Sequence, residues 1–112
     1  MSTITTHVLD TSRGRPAVGF QVGLQIKSGE NWKTLGAGLT DANGRCAGLL
    51  GDNQLEAGTY RLLFNAGDYY RELHIETFYS EISIVFEVAH PETHYHVPLL
   101  ISPFGYSTYR GS

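Results

Sequence analysis

The chain has one cysteine, Cys46, in 112 residues. That excludes an intrachain disulfide and any multi-cysteine zinc motif, and it suits a reducing compartment. Basic residues are few and scattered: 8 Lys and Arg against 11 Asp and Glu, a net charge of −3. Without a basic cluster there is nothing to bind nucleic acid or an anionic membrane surface. No apolar run approaches membrane-spanning length. The first residues, Met1 to His7, lack the basic start and apolar stretch of a secretory signal. The chain therefore reads as soluble and cytoplasmic. It contains no Gly-x-Ser-x-Gly elbow and no phosphate-cradling loop, and its 13 glycines are spread among turns. No two carboxylates can be assigned to one face, so glycosidase-type chemistry has no support.

What is present is period-two alternation, bounded by turn residues. Residues 3–10 set Ile4, Thr6 and Val8 against Thr3, Thr5, His7 and Leu9. Residues 19–27 set Phe20, Val22, Leu24 and Ile26 against polar neighbours. A strand over 32–40 turns Leu35, Ala37 and Leu39 inward. Asp41-Ala42-Asn43-Gly44 is a tight turn. It leads into a short strand in which Cys46 points to the core as a small hydrophobe and Arg45 points away from it. Further strands fall at 58–64, with Tyr60, Leu62 and Phe64 inward, and at 81–88. Between them the period breaks and predicts one short helix over 66–74, with Asp68 near its positive end. At 41% apolar and 17% charged, 112 residues make one domain, 1–112, with a single core. The expected fold is all-β, an antiparallel β-sandwich of seven or eight strands with one short helix. Runs of strand without intervening helices argue against parallel pairing.

The last nineteen residues carry the most chemistry. Alternation puts His94, His96, Pro98 and Leu100 on one face and Tyr95, Val97, Leu99 and Ile101 on the other. Ser102-Pro103-Phe104-Gly105 is a turn, so the tail folds back as a hairpin partner. His7, Arg45, the His94/His96 pair and the Tyr109-Arg110-Gly111-Ser112 end all fall on outward or terminal positions. Taken one at a time, they suit surface groups on an edge hairpin equally well. His-x-His offers two metal ligands, but no spacing marks the third that a metal site needs, so neither metal nor another cofactor is expected. His74 and His90 read as surface groups.

Short motifs then match in order and spacing. They are Thr5-Thr6-His7-Val8-Leu9-Asp10-Thr11, Gly14-Arg15-Pro16-Ala17, Asn43-Gly44-Arg45, His94-Tyr95-His96-Val97-Pro98-Leu99-Leu100, and the ending Tyr106-Ser107-Thr108-Tyr109-Arg110-Gly111-Ser112. With these the sequence resembles the 5-hydroxyisourate hydrolases, transthyretin-related enzymes of urate breakdown, nearly end to end. The Tyr-Arg-Gly-Ser ending separates those hydrolases from transthyretin. One departure is Tyr79-Ser80, where the family usually has Phe-Pro.

The resemblance implies a transthyretin-like sandwich and a homotetramer built as a dimer of dimers, with the site at the dimer–dimer contact. It implies hydrolysis of 5-hydroxyisourate to 2-oxo-4-hydroxy-4-carboxy-5-ureidoimidazoline. His7 and His96 would serve as base and proton shuttle, in an order left open, and Arg45 would clamp the oxyanion. The Ser112 carboxylate would orient a histidine or the substrate. Tyr109, Arg110, Gly111 and His94 would contact substrate. Two rivals differ in class. One is a transthyretin-like carrier of a small ligand without enzymatic activity, whose channel would be lined with apolar and small residues. The other is a structural domain whose histidines sit at a subunit interface.

Overall fold

The computed structural model describes residues 3–112. Its strands are β1 (Ile4–Asp10), β2 (Arg15–Pro16), β3 (Gln21–Ser28), β4 (Asn31–Leu39), β5 (Arg45–Cys46), β6 (Gly58–Phe64), β7 (Ile82–Val88), β8 (Tyr95–Ser102) and β9 (Gly105–Thr108). The one helix, α1 (Ala66–Glu72), lies between β6 and β7. One sheet runs β2-β1-β8-β9, with β5 paired to β1; the other runs β4-β3-β6-β7. The two-sheet sandwich with a short helix is the expected fold, and the two-residue β2 is a strand that alternation alone did not reveal.

One pairing departs from the antiparallel expectation. β1 and β8 run parallel, with Ile4 opposite Tyr95 and Asp10 opposite Ile101. A parallel pair needs a long crossover. Here the whole of the second sheet lies between the two strands in sequence and serves as that crossover, so no helix is required. The inward residues of the two strands, Ile4, Val8, Val97, Leu99 and Ile101, meet Val22, Leu24, Tyr60, Leu62 and Phe64 of the facing sheet in one apolar core. Thr6 is also buried on that face, and its hydroxyl donates to the Val97 carbonyl.

The facing of β4 differs from the expectation. Leu39 is 64% exposed, and Ala37 is exposed as well. Against β3 the register slips by one residue between Leu24 and Gln25, leaving Leu35 as the extra residue of a bulge. Because side chains alternate, one extra residue exchanges the faces beyond it. Ala37 and Leu39 therefore turn outward, and Leu35 alone of the three packs against the core.

The helix also stops two residues early. Asn65 caps it, accepting from the Asp68 N–H while its own amide donates to the Asp68 carboxylate. At the far end His74 takes a left-handed backbone, φ 58°. The His74 and Ile75 N–H groups return to the Arg71 and Tyr70 carbonyls, a C-terminal stop of the Schellman type. Tyr79-Ser80 holds its place without the proline. The Ser80 carbonyl accepts from Gly67 N–H at 2.7 Å, and Thr77 and Phe78 both donate to the Pro103 carbonyl.

Candidate active site

The outer face of the first sheet assembles groups that are far apart in sequence. On β1, Thr5 and His7 share that face. Thr5 lies opposite His96 of β8, and His7 lies between Arg45 of β5 and Pro98 of β8. His7, Arg45 and His96 are thus on three adjacent strands, pointing away from the core.

Arg45 is delivered by its turn. The Asp41 carboxylate accepts from the Asn43 and Arg45 N–H groups, at 2.9 and 3.0 Å, and Val8 N–H donates to the Gly44 carbonyl. Gly44 has φ +77°, and a Cβ there would sit 2.5 Å from the Val8 carbonyl oxygen, so no other residue lets the turn lie this close to β1. These two N–H bonds, with smaller help from the charges of Arg45 and His7, hold the exposed Asp41 carboxyl below its usual range. Among the described residues the Arg45 guanidinium makes no ion pair.

His7 Nε2 lies 2.8 Å from the Asn43 carbonyl oxygen. A carbonyl only accepts, so His7 carries a proton on Nε2 and exchanges protons at Nδ1. His96 Nδ1 lies 2.8 Å from the Thr5 hydroxyl. Burial, and after it the charges of Arg45, His7 and His94, lower its pKa below the usual 6.5, while hydrogen bonding to the Thr5 backbone acts the other way. His96 is therefore mainly neutral at pH 7, the state a base requires. His94, just before β8, shares the Thr5 hydroxyl at 3.1 Å.

The tail continues along β8 without a slip, from Leu99 opposite Thr108 to His96 opposite Gly111. That register sets Tyr109 on the His96 side of the ribbon. It sets Arg110 on the other side, where its guanidinium stacks 4.4 Å from the centre of the Tyr95 ring. Within one chain Arg110 is therefore not part of the histidine cluster; it fastens the tail through a cation–π contact. Gly111 N–H donates to the His96 carbonyl at 2.8 Å. A Cβ on Gly111 would fall 2.6 Å from His96 Cδ2, so glycine lets the tail lie flat on the imidazole. Ser112 follows directly, one residue beyond the contact with that ring.

Gly111→Ala is accordingly expected to push the ring or the tail by on the order of 1 Å, since carbon atoms rest about 3.5–4.0 Å apart. Displacement of that size costs up to about 10²-fold in rate when a reacting group is moved. Steady-state kinetics with a melting curve checks it, because stability should change far less than activity.

Two participants were missed from the sequence: the Thr5 hydroxyl and the Asn43 carbonyl. Thr5 had a signal, since it lies two residues before His7 on the same face. The Asn43 carbonyl had none, because backbone oxygens carry no sequence mark.

Fold and site together define a transthyretin-type sandwich that presents an arginine- and histidine-bearing sheet face. The chain belongs to the HIUase/Transthyretin family, whose family model matches residues 4–111. The 5-hydroxyisourate hydrolase of Mesorhizobium japonicum is 48% identical over 114 residues, covering 97% of this chain and 91% of that protein. The structure of Klebsiella pneumoniae 5-hydroxyisourate hydrolase matches with a TM-score of 0.87 at 39% identity, covering 100% of both chains. Sea bream transthyretin in complex with thyroxine matches with a TM-score of 0.89 at 32% identity, covering 97% of this chain and 94% of that one. Backbone likeness is thus the same for a hydrolase and for a thyroxine complex, and the side chains on the sheet face must separate them. Among the described residues no helix is long and apolar enough to cross a membrane.

Proposed function

We propose that this protein hydrolyses 5-hydroxyisourate to 2-oxo-4-hydroxy-4-carboxy-5-ureidoimidazoline on the His7–Arg45–His96 face. The observation that carries this reading is the convergence of two imidazoles and a guanidinium, without an ion pair among the described residues, on three adjacent strands. A carrier of an apolar ligand would gain nothing from desolvating those groups. Water is a poor nucleophile at neutral pH, so a base must take its proton as it adds to the ring carbonyl. His96 does this through Nε2, its depressed pKa keeping it neutral. Arg45 faces the carbonyl oxygen with its planar donor fork and holds the oxyanion. The C–N bond then breaks, and the proton that His96 Nε2 took from water is passed through His7 Nδ1, which accepts and releases it, to the leaving nitrogen. Ser112 supplies an anion beside the imidazoles, Tyr109 walls the site and Gly111 seats His96. Every step is carried by side chains and water. The open sheet face suits a homotetramer, a dimer of dimers in which two such faces oppose each other and enclose the substrate.

The test is an ultraviolet time course of freshly generated 5-hydroxyisourate against a no-protein control. Faster decay, cut by about 10²-fold or more in His7→Ala and Arg45→Ala, is expected; decay at the control rate by folded protein would overturn the reading. Extending the chain past Ser112 by a short tag should cost about tenfold or more, the scale of one charge-assisted contact. An unchanged rate in the tagged protein removes the carboxylate from the mechanism.

A further inference from the structure

Thr5 has one hydroxyl between two imidazoles, 2.8 Å from His96 Nδ1 and 3.1 Å from His94 Nε2. That hydroxyl has a single proton to donate. It therefore donates to one ring and accepts from the other, so His94 and His96 share a tautomer, either both Nδ1–H or both Nε2–H. We infer that Thr5 and His94 form a positioning pair that holds His96 in the Nδ1–H tautomer and leaves Nε2 as the proton acceptor. The inference rests on the proposed hydrolase reading and names two residues that set the state of its base.

The direction follows from what each nitrogen faces. Thr5 stands directly opposite His96 in the parallel ladder, so Nδ1 is turned to β1. Among the described residues His96 Nε2 has no hydrogen-bond partner and is not sealed from solvent. If Thr5 donates to His94 Nε2, then His96 Nδ1–H donates to Thr5 and Nε2 holds a lone pair toward the open face. The reverse polarity places the proton on Nε2 and abolishes the base. The first arrangement also survives the reaction. When His96 gains a proton at Nε2, its Nδ1–H remains bonded to Thr5, and Thr5 remains bonded to His94, with no group rotating. The second requires the hydroxyl to turn before the ring can accept at Nδ1. Thr5 thus plays the orienting part that a third group plays toward the base of a nucleophile–base pair. Exposed His94, with its own Nδ1 open to water, provides the acceptor that fixes the hydroxyl's direction.

Imidazole ¹⁵N NMR and steady-state kinetics on the full chain test this together. The wild type is expected to show His96 as the Nδ1–H tautomer. Thr5→Val keeps the shape and the strand preference but removes the hydroxyl. It should mix the His96 tautomers and lower kcat about 10- to 10²-fold at nearly constant KM, the scale of losing an orienting partner. Thr5→Ser should restore both readouts. His94→Ala should act as Thr5→Val does, and His94→Gln, which still accepts from Thr5, should restore most of kcat. An Nε2–H tautomer in the wild type, or a wild-type kcat in Thr5→Val, overturns the inference. The NMR readout needs no turnover, so it judges the pair even if the ultraviolet assay rejects the hydrolase reading.

Discussion

Arg45→Lys is expected to lower kcat/KM for 5-hydroxyisourate about 10²- to 10³-fold, with most of the loss in kcat, the scale of removing one oxyanion donor. The charge is conserved in this exchange, so the size of the loss reports geometry. A guanidinium presents a rigid, planar fork, while an ammonium is a compact, strongly hydrated point at the end of a flexible stem. The backbone of residue 45 is held by the Asp41 carboxylate and by pairing with His7, and neither bond involves the side chain. Lysine should therefore fold into the same turn, and an unchanged melting curve will separate catalysis from stability. Steady-state rates equal to wild type would make Arg45 a solvated surface charge.

His96→Ala should cost about 10²- to 10⁴-fold in kcat, the range of losing a general base. The pH profile gives the sharper measurement. The base must be unprotonated, so the rate falls as pH drops through the His96 pKa. Burial first, and then the Arg45 charge, lower that pKa from 6.5. The acid limb of kcat/KM is thus expected below pH 6.5, with full rate retained at neutrality. Removing the Arg45 charge removes one of the lowering causes, so the limb of Arg45→Ala should move up, toward the ordinary histidine value. The Arg45→Lys variant keeps its charge and should leave the limb in place despite its lower plateau. A limb that does not move in Arg45→Ala would mean the guanidinium does not face His96.

These expectations depend on neighbours that the sequence reveals unevenly. Alternation was enough to send His7, Arg45 and His96 outward, because a strand's side chains have a strict period of two and the apolar set declares the inner face. It failed in β4, where a single bulged residue exchanged the faces of Ala37 and Leu39. The bulge is fixed by the register against β3, and its only mark in β4 is Gly36 directly after it, since glycine inside a strand often accompanies a bulge. The helix was legible at its start, through the break in period two and Asp68. Its end was not, because His74 stands where a left-handed residue is usually glycine or asparagine.

By itself, then, the sequence determined the longer strands, the face that each of them except β4 buries, and the residue types able to move a proton. Only the tertiary structure decided which of them meet. The parallel pairing of β1 with β8 brings Thr5 opposite His96 across 91 residues, and the tail's register parts Tyr109 from Arg110. Local periodicity is a property of consecutive residues and survives in the sequence. Register between distant strands is chosen by the packing of the whole core, and no short stretch of sequence contains it.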